Sequence, residues 1–175
     1  IDCPGDCDES WVLTQNVELA ATPDPGSIFT GWSGDCAGSA ACGFDMSVDR
    51  TVTATFGLLR TLDVALAGAG SGAVASVPAG IACPGDCSEA FADGTPVTLT
   101  ATPSPGSYFV GWSGACAGGG VCDLVMTADL AATATFGLLR TLDVSLAGAG
   151  SGSVASVPGG ISCPGDCTEA YIDGT

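Results

Sequence analysis

The sequence predicts an all-β fold, built as tandem small β-domains of about six short strands each, stapled by disulfides. Three observations predict it. The first is a strict 80-residue step. Cys-Pro-Gly-Asp-Cys stands at Cys3 to Cys7, at Cys83 to Cys87 and at Cys163 to Cys167. Gly31-Trp32-Ser33-Gly34 returns as Gly111-Trp112-Ser113-Gly114, and Phe56-Gly57-Leu58-Leu59-Arg60 as Phe136-Gly137-Leu138-Leu139-Arg140. Such a period without insertions is the mark of a repeat array. The second observation is ten cysteines in close pairs: Cys3 and Cys7, Cys36 and Cys42, Cys83 and Cys87, Cys116 and Cys122, Cys163 and Cys167. The third is a run of short alternating apolar stretches between Gly/Pro turns, with no window of helical period.

One full period covers residues 58–137, flanked by partial repeats at 1–57 and 138–175. Ile1 matches Ile81 and Ile161, so the chain reads as a window on a longer array, and its lack of a leader or anchor is uninformative. The copies are nearly identical. Between 55–95 and 135–175 only seven positions differ, which suggests that each copy does the same job.

Within the full period, Leu62, Val64 and Leu66 alternate on one strand face. The Gly68 to Gly72 run then turns, and Val74 to Val77 returns, which predicts a hairpin. In the Cys83 to Cys87 loop, Pro84 fixes φ, Gly85 permits positive φ and Asp86 can bond its own turn. Closing so short a loop contributes only about 2 kcal/mol through chain entropy, so its use is to hold a loop shape or stop a strand edge from slipping. Ala90-Phe91-Ala92 meets the turn Asp93-Gly94. Pro96 to Thr102 is a strand with Val97, Leu99 and Ala101 inward and three threonines outward. Tyr108, Val110 and Trp112 alternate with Phe109 on a short aromatic strand. The glycine-rich loop from Gly114 to Val121 is clasped by Cys116 and Cys122. Leu124 to Met126 and Ala132 to Phe136 are expected to form a closing hairpin, with Ala132, Ala134 and Phe136 on one face. Eighty residues make a small core, which two disulfides per repeat would reinforce.

Charge excludes several functions. There are 19 acids against three bases (Arg50, Arg60, Arg140), no Lys and no His, for a net charge of −16. Such a surface repels phosphate, so nucleic acid and anionic membranes are poor partners. Without His, acid–base chemistry at neutral pH loses its usual agent, and without Lys there is no isopeptide or Schiff-base route. Only 13% of residues are charged and the mean hydropathy is +0.45, yet no apolar run approaches the length of a membrane span.

The evenly spaced cysteines read as structural disulfides of an oxidising compartment rather than as a zinc site, whose spacing and histidines are missing. A redox role needs Cys-x2-Cys in an electropositive setting, and neither is present. Asp2, Asp6, Asp8 and Glu9 gather round the first loop, and oxygen-rich loops are what Ca²⁺ binds. The second copy keeps only Asp86 and Glu89, and no EF-hand or Gly-Gly-x-Gly-x-Asp pattern occurs. Ordinary solvated acids are the preferred reading, and no cofactor is expected. Trp32, Trp112, Tyr108 and Trp11 could offer a sugar-binding platform, but Trp beside glycine at a strand end favours a core or inter-repeat anchor. The carboxylates sit in turns or on outward faces, with no pair common to both copies, so no enzyme activity is expected.

The run Cys-Pro-Gly-Asp-Cys, Asp93-Gly94-Thr95 through Thr102, Phe109-x-Gly111-Trp112-Ser113-Gly114, Cys-x5-Cys and a closing Thr-Ala-Thr-Phe resembles the divergent InlB B-repeat family over the whole chain. The first copy departs from it, with Val12-Leu13-Thr14-Gln15-Asn16 in place of Ala92-Asp93-Gly94-Thr95-Pro96. The resemblance implies a secreted or surface-exposed, non-enzymatic bacterial repeat and supplies no catalytic residue. The expected function is a structural unit of a fibre, filament or stalk, with copies of itself as partners; the alternative is an adhesion or carbohydrate-binding array. The joints Gly57-Leu58-Leu59 and Gly137-Leu138-Leu139 are too apolar for a free linker, which predicts that Leu58, Leu59, Leu138 and Leu139 are buried between adjacent domains. A polymer could also arise if an incomplete domain accepted a strand from a neighbouring molecule, although a window on a longer array is the simpler account.

Overall fold

The computed structural model describes residues 1–12 and 15–174. It falls into two units, Ile1–Leu59 and Arg60–Thr175. Among the described residues all regular structure is strand. The first unit holds β1 (Asn16–Leu19), β2 (Ser27–Gly34), β3 (Cys42–Asp45) and the opening half of β4 (Val52–Ala67). The second holds the rest of β4, then β5 (Gly72–Val77), β6 (Ala82–Cys83), β7 (Ser88–Ala92), β8 (Pro96–Pro103), β9 (Ser107–Gly114), β10 (Cys122–Val125) and β11 (Leu130–Asp143). It ends with β12 (Val154–Ala155), β13 (Ser162–Cys163) and β14 (Thr168–Ile172).

The full repeat in the second unit consists of two sheets around one core. One sheet runs β10-β8-β5-β6, antiparallel throughout. In the other, β9 lies antiparallel to β11, β11 lies parallel to β4, and β4 also pairs β7. Leu62, Val64, Phe91, Trp112, Ala132, Ala134 and Phe136 come from this second sheet. They meet Val74, Cys83, Val97, Leu99 and Cys122 from the first. Burying a Leu or Phe side chain contributes about 1.5–3 kcal/mol, so this cluster is the domain's main source of stability.

Three local expectations are corrected. The predicted hairpin of residues 61–66 with 74–77 does not form. Residues 62–67 pair with β11, whereas β5 pairs β8 and β6 in the opposite sheet. The Gly68 to Gly72 segment is therefore a crossover between sheets. It passes so close to β11 that a Cβ on Gly68 or Gly70 would overlap the Phe136 or Gly137 carbonyl, and one on Gly72 would overlap the Phe136 ring. Close approach explains these glycines better than turn flexibility. The predicted closing hairpin is likewise an arch: β10 pairs β8 while β11 pairs β9 and β4. Its turn is fixed by Met126, fully buried, and by Asp129, whose Oδ1 accepts the Thr61 N–H at 2.9 Å.

The aromatic strand is also out of phase with simple alternation. The register with β11 shifts between Thr135 and Phe136, so Gly111 faces Thr135 but Phe109 faces Phe136. This bulge leaves Val110 exposed and turns Phe109 and Trp112 to the same side, with ring centroids 5.4 Å apart. Gly111, at φ 153°, allows the shift.

Candidate functional site

Each repeat carries two staples, and each one joins the two sheets. Cys83 ends β6, and Cys87 immediately precedes β7 in the other sheet; the two are bonded. The Cys87 carbonyl accepts the Val64 N–H of β4 at 2.8 Å. Cys116 follows β9 and is bonded to Cys122, which opens β10 in the opposite sheet. Cys83 and Cys122 are buried and belong to the core. The partial repeats carry the same bonds: Cys3–Cys7, Cys36–Cys42 and Cys163–Cys167. The Cys-Pro-Gly-Asp-Cys turn contains a cis Cys–Pro bond in all three copies. Gly85, which could take a positive φ, does not use that freedom. The turn is closed instead by Ala82 and Asp86, with backbone N–H···O bonds of 2.7 and 3.0 Å.

The joint at Leu138-Leu139 lies inside β11. Residues up to Leu138 pair with β9, and Leu139–Asp143 pair with β14 of the next repeat. The Leu139 N–H donates to the Gly106 carbonyl at 2.9 Å, and the Leu138 carbonyl accepts the Asp173 N–H at 2.9 Å. One residue pair is thus bonded to the repeat behind it and to the repeat ahead. Arg140 Nε adds a 2.9 Å contact to Asp173 Oδ1; Arg60 Nε makes the same contact to Asp93 at 2.7 Å. Leu58 is 53% exposed, and Leu59, Leu138 and Leu139 are half-buried. All four are strand residues, and at Leu138 and Leu139 the backbone bonds add to whatever apolar cover the side chains have.

The other candidates do not converge. Asp2, Asp6, Asp8 and Glu9 are all exposed, and among the described residues no three His, Cys, Asp or Glu side chains form a group that could hold a metal ion. Trp112 is buried, with Nε1 donating to the Gly120 carbonyl at 2.8 Å. The Tyr108 ring covers Gly137 on the neighbouring strand, and Trp32 and Trp11 are half-buried. Of the divergent stretch Val12 to Asn16, Leu13 and Thr14 lie outside the described residues. In the first unit, Asp35 accepts the Thr51 N–H at 2.6 Å and faces Arg50 at 3.4 Å. The backbone bond, with help from Arg50, holds its carboxyl below the ordinary 3.8. Asp45 is lowered by its bonds from the Ser47 hydroxyl and N–H, with a smaller contribution from Arg50.

Two segments, residues 5–58 and 63–138, match the family model of the divergent InlB B-repeat domain. The chain belongs to the divergent InlB B-repeat family. The matched segments end 138 − 58 = 80 residues apart, at the two joints. This is a repeat family of bacterial surface proteins, which suggests a structural or surface role and accords with a disulfide-rich extracellular domain. No curated protein and no solved structure matches the chain.

Sequence reasoning missed the crossover glycines as contact residues. The signal was present in their period of two. Glycine at 68, 70 and 72, and again at 148, 150 and 152, has the spacing of one strand face rather than of a turn.

Proposed function

We propose that this chain is a structural segment of a secreted bacterial fibre, filament or surface stalk, with its repeats joined head to tail. The observation that carries the reading is the bonding of Leu138 and Leu139 to the repeats on both sides through one continuous strand. A joint held by strand hydrogen bonds resists bending more than a Gly/Ser linker would. The sheet-to-sheet staples support the same role, because they limit how far a loaded domain can open. A catalytic function is not part of this reading. The burial of Trp112 and the seat of Tyr108 on Gly137 remove two rings from any sugar-binding platform and weigh against the adhesion alternative.

The test is the contour length of oxidised chains carrying two, four and eight repeats, imaged by electron microscopy. The reading expects regular fibres or rods that lengthen by a constant increment per repeat. Coils whose end-to-end distance grows only as about the square root of repeat number would refute it.

A further inference from the structure

The covalent chain enters the full repeat through β4 and leaves it through β11. These two strands are direct neighbours and run parallel, with six register pairs from Leu62↔Leu130 to Ala67↔Thr135. The entry point, Arg60, lies just before the first pair, and the exit point, Leu138, lies beyond the last. A pull along the chain therefore draws β4 toward its start and β11 toward its end. The strands can part only by sliding past each other, which loads all the bonds of the ladder together. In a hairpin, whose ends emerge side by side, the same pull would open the bonds one after another. Sliding has the higher barrier, because the bonds must break in one step.

The rest of the repeat is arranged about this pair. β4 also pairs β7, and β11 also pairs β9, so neither strand is an edge here. Leu62, Val64, Ala132 and Ala134 turn into the core and cover one side of the ladder, which keeps water from replacing its bonds. Both ends of the ladder are tied off. Asp129 Oδ1 accepts the Thr61 N–H at 2.9 Å ahead of the first pair, and the Phe136 carbonyl accepts the Gly70 N–H at 2.9 Å beyond the last. The second tie depends on the crossover glycines, since a Cβ at Gly68 or Gly70 would overlap the β11 backbone. The staples Cys83–Cys87 and Cys116–Cys122 both lie in the chain between Ala67 and Leu130. They stand behind the ladder and take load only after it has parted.

We infer that the β4–β11 ladder is a shear clamp, the element that sets the force at which a repeat opens when the chain is pulled. The inference rests on the stalk reading only in that load has to reach the repeats. A ladder that gives way as readily along the chain as across it would overturn the inference and leave the contour-length test of the stalk untouched. Coiled multi-repeat chains would refute the stalk and leave the clamp, measured in a single repeat, to its own test.

The experiment is single-molecule stretching of the oxidised 175-residue chain in two directions. In the first, handles at Ile1 and Thr175 pull on the chain ends. Whatever gives way in the flanking partial repeats, load still reaches the full repeat at Arg60 and Leu138. In the second, the handle at Thr175 is moved to the exposed Ala128, in the turn before β11. Both pulls then act at the Leu62↔Leu130 end and peel the ladder pair by pair. Opening of the full repeat is recognised by the length it frees, which grows when the two staples are reduced. Pulling on the chain ends should need at least about twice the force of peeling. Asp129→Ala, at an exposed position, removes the tie at the entry end. It should speed opening from the chain ends about tenfold at a fixed force and change peeling little, where the tie is one bond in a series. Equal forces in the two directions, a lower force from the chain ends, or an Asp129→Ala effect as large in peeling as from the ends would each overturn the inference.

Discussion

Residues 16–58 and 96–138 are the same stretch of the repeat, yet one is open and the other sealed. β8 has eight residues, and its counterpart β1 has four. Leu99 is fully buried and Leu19 is half-buried; Met126 is fully buried and Met46 is half-buried. The two aromatic clusters are nonetheless built alike, with Phe–Trp centroids 5.0 and 5.4 Å apart. The comparison separates two levels of order. Bulge, clasped loop and aromatic stack are local and form in both copies. Strand length and core closure depend on a parallel partner some 70 residues away in the chain. Strand extent here is a property of pairing more than of local propensity.

The difference can be probed by making the same change on both sides. The largest effect is expected at Leu99. Leu99→Ala should cost the full repeat about 2–5 kcal/mol, and Leu19→Ala less than half of that, read as loss of hydrogen-exchange protection in β8 and β1. Equal losses would mean that the first copy is as well packed as the second. Next come the crossover glycines. Gly72→Val forces a side chain into the Phe136 ring and should cost about 1–3 kcal/mol, whereas Gly152→Val, with open space before it, should stay within about 0.5 kcal/mol in denaturant titration of this 175-residue chain. Removing the Cys116–Cys122 bond by a double serine change should cost about 2 kcal/mol, seen as a lower denaturation midpoint, because it unties β9 from β10. The smallest effect concerns acid. Asp35 has a lowered folded pKa, so its contribution is present above 3.8 and is lost as pH falls through the folded value. The second repeat has Ala115 at this position. Protection of the Thr51 amide should therefore fall below about pH 4 in wild type, and Asp35→Asn should flatten that fall.

The strands themselves were legible in the sequence. Val97, Leu99, Ala132, Ala134 and Phe136 face inward as two-residue alternation requires. The staples were legible too, from paired cysteines on a fixed step. Strand partners were not. A Gly-rich connector between two apolar runs reads the same whether the chain folds back on itself or crosses to the facing sheet. Nothing local to residues 68–72 reports that Phe136 will lie against them. The inserted residue at Val110 was equally hidden, since one bulge reverses the phase of a strand without altering its composition. At the joint the sequence pointed to apolar cover for Leu58, Leu59, Leu138 and Leu139, and gave no sign of the backbone bonds that Leu138 and Leu139 make to Asp173 and Gly106.

The shared strand at the joint is the central claim, and residue-resolved amide exchange tests it most directly. The Leu139 and Asp173 amides should exchange at least a hundredfold more slowly than the open Gly148 and Gly150 amides, and close to the Ala132 to Phe136 amides of the same strand. Exchange at Leu139 as fast as at Gly150 would mean that the strand breaks at the joint, and the head-to-tail account would fail.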